Sequence, residues 1–269
     1  MSTATVPRPI GDLLREWRQQ RHLSQLDLAL EAEVSARHIS FLETGRSLPS
    51  REMVLRLAEQ LEVPLRERNE LLIAAGYAPH FPERSLDDPA LHQAREAVRL
   101  VLAGHEPYPA LAVDRRWNLV AANLAVTPFF TGVAPELTQP PINVLRATFH
   151  PEGLAPRIVN FTQWREHMLQ RVQRQVRRTA DARLADLLAE LRAYPAPIDP
   201  PAEGSLPGHE VPGMVVPLVL RTGQGTLSFL YTTTLFGTPL DVTLAEIGIE
   251  AFFPADATTA AAFMPHGGA

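Results

Sequence analysis

The polar side chains with the most informative spacing lie between Ser24 and Arg51. Three of them, Arg37, Arg46 and Arg51, carry planar guanidinium groups. Such a group can donate two parallel hydrogen bonds to a phosphate or to the O6 and N7 atoms of a guanine. The hydroxyl, amide and imidazole groups between these arginines can bind phosphate oxygens singly. The chemistry predicted for this stretch is therefore hydrogen bonding to a polyanion.

Two short helices are predicted to position these side chains. Ser24 is a good N-cap for the first helix, and Ser35 caps the second. In the second helix Ile39 and Leu42 face inward at i, i+3 spacing, so its N-terminal side is left polar and exposed. Gly45 follows at the place where a left-handed residue commonly ends a helix. A polar N-terminus of this kind is typical of a helix that meets base edges.

The whole stretch resembles the helix-turn-helix of the Xre/Cro repressor family. The resemblance is carried by SQ at 24–25, S-x-x-x-I-S at 35–40, E-x-G-R at 43–46 and PS at 49–50. It implies that the partner is double-stranded DNA. A small helical bundle of any function would also contain capped helices with leucines at these intervals. It would not need an arginine-bearing polar face beside a capped turn.

We expect the side chains of this stretch to divide between positioning and reading. Gln25 would bind a phosphate and buttress the recognition helix, while Arg37 would pair with a guanine. A Gln or Asn at position 36 could pair with an adenine, but Ala36 can make only an apolar contact with the methyl group of a thymine. The other side chains predicted to hold the unit on phosphates are Ser35, His38, Ser40, Thr44, Arg46 and Arg51.

The composition is that of a globular protein, and the length favours two domains. The chain has 269 residues, of which 45% are hydrophobic and 20% charged, and it has no cysteine. No apolar run is long enough to span a membrane, and the N-terminal sequence lacks the apolar core of a signal peptide. We therefore expect a soluble cytoplasmic protein without disulfides or thiolate metal sites.

The net charge of -5 does not exclude a DNA partner, because the local charge of the binding face matters more. All 25 basic residues are arginines, and three of them fall on or beside the predicted reading face. The stretch from Ala196 onward has only Arg221 against seven acidic residues. The C-terminal part is therefore expected to avoid DNA.

The predicted fold is multidomain, with an all-α five-helix bundle followed by an α+β domain. Apolar residues recur at helical spacing through 8–78, which we assign to the helix-turn-helix domain. Residues 79–105 are predicted to form a linker and a connecting helix that could pack on either domain. Strands at both ends of 106–256, with helices between them, resemble a PAS-like domain. Residues 257–269 are expected to be a flexible tail.

Two further stretches resemble the MmyB-like branch of Xre regulators. They are RERNELLIAAGYAP at 66–79 and YPALAVDRRWNLVAAN, which follows HEP at 105–107. The resemblance implies a transcription factor whose C-terminal PAS-like domain binds a small apolar molecule. Since one short recognition helix buries little surface, we also expect a homodimer. The alternative left open is a protein-interaction and dimerisation module that has no small-molecule ligand.

A mostly apolar pocket is predicted in the PAS-like domain. We expect it to hold a fatty acyl chain or a similar small lipid-like metabolite, with an arginine at its mouth to bind a carboxylate. Occupancy would bias the packing of the helix predicted at 88–103 and thereby DNA binding. The candidate lining residues are Phe129, Phe149, Phe161, Trp164, Met168, Phe229 and Tyr231.

No motif predicts a catalytic or metal site, so we expect neither enzyme activity nor a cofactor. The sequence has no nucleophile elbow, P-loop or dinucleotide-binding glycine motif. An arginine cluster at 165–178 is interpreted as a solvated face, with DNA flanks or a carboxylate ligand as alternative partners. Histidines scattered singly favour surface or capping roles over a metal or haem ligand, and this applies to His105, His150, His167, His209 and His266.

Overall fold

The computed structural model describes residues 8–197, 215–223, 225–237 and 239–264. Within these residues the chain divides into two compact units. The first unit contains residues 8–84 together with the short segments 177–180 and 239–245. The second unit contains the other described residues.

Five helices form most of the first unit. They are α1 Ile10–Gln20, α2 Gln25–Glu31, α3 Ala36–Glu43, α4 Arg51–Gln60 and α5 Leu65–Ala74, and a single turn at Val242–Ala245 accompanies them. Their inward faces make one continuous apolar core, which includes Leu14, Leu28, Ile39, Leu42, Val54, Leu57 and Leu72. The predicted five-helix bundle is therefore confirmed.

Serine side chains set the start of three of these helices. Ser24, Ser35 and Ser50 each accept a hydrogen bond from the backbone N–H three residues later, which satisfies a donor that the helix leaves free. At Ser24 the carboxylate of Asp27 also accepts from the serine backbone, which completes a capping box. After α3, Gly45 has a φ of +70°, a conformation that glycine adopts at little cost.

The second unit is built on one antiparallel sheet of five strands. They are β1 Ala110–Val113, β2 Leu119–Ala122, β3 Leu218–Thr222, β4 Gly225–Leu235 and β5 Gly248–Pro254, in the spatial order β2-β1-β5-β4-β3. The helices of this unit are α6 His92–Gly104, α7 Thr127–Phe130, α8 Val144–Phe149, α9 Phe161–Thr179 up to residue 176, α10 Ala182–Ala193 and α11 Ala257–Ala262. The predicted mixture of helices and antiparallel strands is confirmed.

The register of the sheet places polar groups among apolar ones at its centre. Glu250 on β5 pairs with Leu111 on one side and with Thr233 on the other. Tyr231 and Phe252 form the pair two positions further along β4 and β5. Because alternate residues of a strand share a face, Glu250 and Phe252 lie on the same side of the sheet.

Two segments differ from the sequence expectation or go beyond it. Residues 257–262 form α11, where a flexible tail was expected; the Asp256 side chain caps this helix by accepting from the Thr259 N–H. The helix that could have joined either domain, α6, packs on the sheet of the second unit. The Asn123 side chain donates to the Leu102 carbonyl, and His105 bonds the Phe252 carbonyl. Most of the proline-rich loop predicted after Tyr194 lies outside the described residues.

Candidate functional sites

Most of the residues predicted to contact DNA lie on α3 or at its two ends, and Arg51 begins α4. Arg37, Arg46 and Arg51 are exposed, as are Ser35 and Thr44, whereas Ala36, His38 and Ser40 are half-buried. Ser35 is held as the N-cap by a 3.1 Å hydrogen bond from the His38 N–H. The Thr44 hydroxyl donates to the Ser40 carbonyl at 2.7 Å. In this arrangement its proton is bound by the α3 backbone and is not donated to another group. The Arg51 guanidinium bonds the His80 ring at 2.9 Å.

Two of the arginines share one aromatic ring that the sequence reasoning missed. The guanidinium carbons of Arg37 and Arg46 lie 5.1 and 5.8 Å from the centre of the Phe41 ring. Such cation–π contacts limit the conformational freedom of an exposed arginine. The i, i+4 spacing between Arg37 and Phe41 on a helix is the signal that could have identified Phe41.

A buried carboxylate ties α3 to α1 and α2. The Glu43 side chain is only 1% exposed and accepts from Arg18 Nε at 2.6 Å and from Arg18 Nη2 at 2.9 Å. Gln25 Nε2 donates to the same carboxylate at 2.8 Å, and Arg15 lies 3.5 Å away. Gln25 therefore supports α3 through Glu43, while its contact with phosphate and the role of α3 as the recognition helix stay predictions.

The electrostatic state of Glu43 follows from these contacts. Burial alone would raise the pKa of Glu43, but the hydrogen bonds from Arg18 and Gln25 and the charge of Arg15 outweigh burial and lower it below its ordinary value. The carboxylate is thus ionised at neutral pH. It anchors the C-terminal end of α3, so the polar N-terminal half of this helix is presented on a fixed support.

The second unit contains a cavity of about 90 Å³ between the sheet and its helices. Its wall is mostly apolar. It is lined by Pro109, Leu111, Trp117, Val126, Phe129, Phe130, Val144, Leu145, Ala147, Thr148, Leu154, Trp164, Met168, Leu218, Leu220, Tyr231, Glu250 and Phe252.

Four of the seven predicted lining residues lie on this cavity wall: Phe129, Trp164, Met168 and Tyr231. The other three, Phe149, Phe161 and Phe229, belong to the packed core and are at most 2% exposed. Phe149 packs edge-on against Phe161, and Phe229 packs against Phe129 in the same way. These three rings support the wall from behind and do not line the cavity.

Glu250, the charged residue of the cavity wall, forms an ion pair that is flanked by aromatic rings. Arg171 donates to both carboxylate oxygens of Glu250, at 2.8 and 2.7 Å, and to the Thr233 hydroxyl at 2.8 Å. Its guanidinium carbon lies 4.6 Å from the centre of a Trp117 ring and 5.5 Å from that of Tyr231. The sequence predicts an arginine at the mouth of the pocket that binds a ligand carboxylate; Arg171, a member of the arginine cluster, already holds the carboxylate of Glu250.

Two protein families match the chain, one over the helical bundle and one over the part that contains the cavity. A helix-turn-helix family matches residues 14–68, and the family described as "MmyB-like transcription regulator ligand binding domain" matches residues 94–264. The second match covers more than half of the chain. The chain belongs to the MmyB-like transcription regulators. Both resemblances found in the sequence are thereby confirmed, and the cavity lies within the ligand-binding domain of this family.

Two curated relatives resemble parts of this MmyB-like chain. An HTH-type transcriptional regulatory protein of Methanoculleus marisnigri is 34% identical over 116 residues, which are 42% of this chain and 37% of the relative. The HTH-type transcriptional regulator RghRB of Bacillus subtilis is 38% identical over 76 residues, which are 28% of this chain and 52% of the relative. The chain thus spans between about a third and about half of the length of these relatives.

The arginine cluster of the MmyB-like chain has no single role. Arg165 donates to the carbonyls of Leu191, Arg192 and Tyr194, where it satisfies the C-terminal end of α10. Arg171 binds Glu250, which lines the cavity. The remaining members, Arg174, Arg177 and Arg178, are exposed, as expected of a solvated face.

Three of the five histidines considered in the sequence analysis have individual hydrogen-bond partners. His105 bonds a backbone carbonyl, His150 accepts from the Glu152 N–H, and His167 bonds the Tyr231 hydroxyl at 2.8 Å. His209 and His266 lie outside the described residues. Across the described part of the chain, no three His, Cys, Asp or Glu side chains are grouped as a metal site would require. No helix in the described ranges has the length and apolar character needed to cross a bilayer.

Proposed function

We propose that this MmyB-like chain is a sequence-specific, DNA-binding transcriptional regulator whose ligand-binding domain senses a small apolar molecule with a fatty-acid-like body. The observation that carries the DNA-binding part is the Arg37–Phe41–Arg46 cluster, which combines two residues of α3 with one that follows it, while Glu43 anchors α3 to α1 and α2. Two exposed guanidinium groups beside a capped helix suit the major groove of DNA. A DNA partner supports a cytoplasmic location for the protein.

Arg37→Ala is expected to weaken binding to the preferred operator by about 1–3 kcal/mol and to relax one base position, because it removes a paired contact with a guanine. Arg51→Ala is the matched control. It should weaken the binding of all duplexes alike, since Arg51 is assigned to phosphate. Fluorescence anisotropy on an operator selected in vitro and on a random duplex measures both effects.

The assignment of Arg37 would be wrong if Arg37→Ala weakened random-duplex binding as much as operator binding.

The salt dependence of binding tests separately whether the partner is DNA. The logarithm of the binding constant for duplex should fall with the logarithm of the salt concentration, with a slope of about -0.9 for each phosphate neutralised. A flat salt response would favour a protein partner instead.

We expect the regulator to bind as a dimer on a two-fold operator. The half-sites should lie about 34–36 Å apart or a multiple of that distance, because two equivalent recognition helices must reach the same side of the duplex. Footprinting under saturating conditions should show two symmetric protected half-sites. A single unsymmetrical half-site at saturation contradicts this prediction.

The cavity supports a short ligand or the end of a longer one. About 90 Å³ is less than the engineered cavity of about 150 Å³ that binds benzene, and its lining is almost wholly apolar. A small apolar molecule can therefore enter after a modest expansion of the wall, whereas a long acyl chain would have to extend beyond the cavity. We propose a short molecule with an apolar body like that of a fatty acyl chain as the ligand of this domain.

A further inference from the structure

One polar group of the cavity wall lacks a partner. Trp164 is 4% exposed and lines the cavity, and its indole Nε1 is buried with no hydrogen-bond partner among the residues that the structure describes. The indole nitrogen can only donate. A buried tryptophan N–H usually finds an acceptor, so this position is exceptional in an otherwise satisfied wall.

The neighbouring polar groups do not supply an acceptor to this N–H. The Tyr231 ring packs edge-on against Trp164, with the ring centres 5.2 Å apart, but its hydroxyl bonds His167 at 2.8 Å. Both Glu250 oxygens accept from Arg171. Burial and the positive charges of Arg174 and Arg171 lower the pKa of His167, so at neutral pH this ring adds no charge beside the cavity.

The charge of the wall argues against an anionic ligand. Glu250 brings a carboxylate to the cavity, and the two donating nitrogens of Arg171 nearest to it are both engaged. A ligand carboxylate in this space would lose its hydration and face a second carboxylate, and none of the described residues that line the cavity is cationic. An uncharged acceptor avoids both costs.

We propose that the cavity selects a short, uncharged, apolar molecule that carries a single hydrogen-bond acceptor, with a carbonyl oxygen as the chemistry that fits best. The Trp164 indole N–H binds this oxygen, and the apolar wall covers the rest of the molecule. The proposal rests on the ligand-sensing function proposed above. It specifies the head group, which is a neutral carbonyl and not a free carboxylate.

Calorimetric titration of the full chain with three probes of six carbons tests the head group. The probes are hexan-2-one, hexane and hexanoate, at neutral pH. Trp164→Phe should weaken binding of hexan-2-one about tenfold and change binding of hexane by less than about twofold, since only the ketone loses a hydrogen bond. Met168→Leu, a change in the same wall without a polar group, should affect the ketone and the alkane alike. Hexanoate should bind at least about tenfold more weakly than hexan-2-one.

A second measurement uses the wild-type protein, without any substitution. The chain has three tryptophans, so a sample labelled with ¹⁵N-tryptophan gives three indole N–H signals. The Trp164 signal should move downfield on addition of hexan-2-one, as a hydrogen-bonded N–H does, and should not do so with hexane. This observation is independent of whether Trp164→Phe folds.

The outcomes separate this proposal from the sensing function on which it rests. If the probes bind but the ketone and the alkane respond equally to Trp164→Phe, or hexanoate binds as tightly as hexan-2-one, the head-group proposal is overturned and sensing by the cavity still stands. If none of the three probes binds up to its solubility, both the head-group proposal and sensing by this cavity are overturned.

Discussion

Glu43→Ala is expected to lower the free energy of unfolding of the helix-turn-helix unit by about 3 kcal/mol. Glu43 is the buried partner of Arg18, whose side chain is 11% exposed, so its removal leaves a guanidinium largely cut off from water without its counter-charge. The hydrogen bond from Gln25 is lost as well. Because α3 is anchored by these contacts, operator affinity should fall together with stability.

Amide hydrogen exchange of α3 in the full chain measures the loss of stability directly. Glu70→Ala is the matched control, since Glu70 is an exposed glutamate on α5 and its loss should cost less than about 0.5 kcal/mol. Equal protection of α3 in the two variants would show that the Glu43 cluster does not stabilise the unit.

The contribution of Glu43 should also depend on pH in a defined direction. Its pKa is lower in the folded protein than in the unfolded chain, so its stabilisation is fully present above the ordinary pKa of a glutamate. It is lost as the pH falls through the lowered value. The difference in stability between wild type and Glu43→Ala should therefore shrink in acid, and denaturant titrations at several pH values measure it. A difference that grew in acid would contradict this assignment.

Arg171→Met is expected to destabilise the ligand-binding unit by about 3–5 kcal/mol. Glu250, with a side chain only 5% exposed, would keep its charge without a partner, and Trp117 and Tyr231 would lose their cation–π contacts. Hydrogen exchange of β5 and urea denaturation followed by tryptophan fluorescence report this loss. Arg174→Met is the matched control on the same helix, because Arg174 is exposed.

A double variant separates the cost of the unpaired charge from the cost of lost packing. Arg171→Met combined with Glu250→Gln leaves no buried charge, so it should recover more than half of the stability that Arg171→Met loses. If the double variant were as unstable as Arg171→Met alone, packing of the arginine against the two rings would be the main contribution, and the ion-pair explanation would be wrong.

The helix-turn-helix could be predicted because its signals are local. Ser24, Ser35 and Gly45 each act within one turn of their own helix, and the apolar periodicity of α3 spans only eight residues. The Glu43 cluster could not be predicted in the same way. Its partners Arg18 and Gln25 lie 25 and 18 residues away, and no periodic pattern connects them.

The cavity was predictable in kind but not in detail. Apolar aromatic composition shows that rings are buried, but not whether a ring faces a gap or packed neighbours, so Phe149, Phe161 and Phe229 were placed on the wrong side of the wall. The Arg171–Glu250 pair joins residues 79 apart. By contrast, the helix at 257–262 had a local signal in the capping side chain of Asp256, which the sequence reasoning overlooked.

Ligand-controlled DNA binding is tested most directly by a linkage measurement on the full chain. The small molecule that co-purifies with the protein from its native host, identified by mass spectrometry, is returned at saturation to protein that has been stripped of it. Operator affinity should then change by about 5–150-fold, and operator DNA should change the affinity for the molecule by the same factor. If the molecule occupies the ligand-binding unit and operator affinity stays the same, the protein does not sense its ligand through DNA binding.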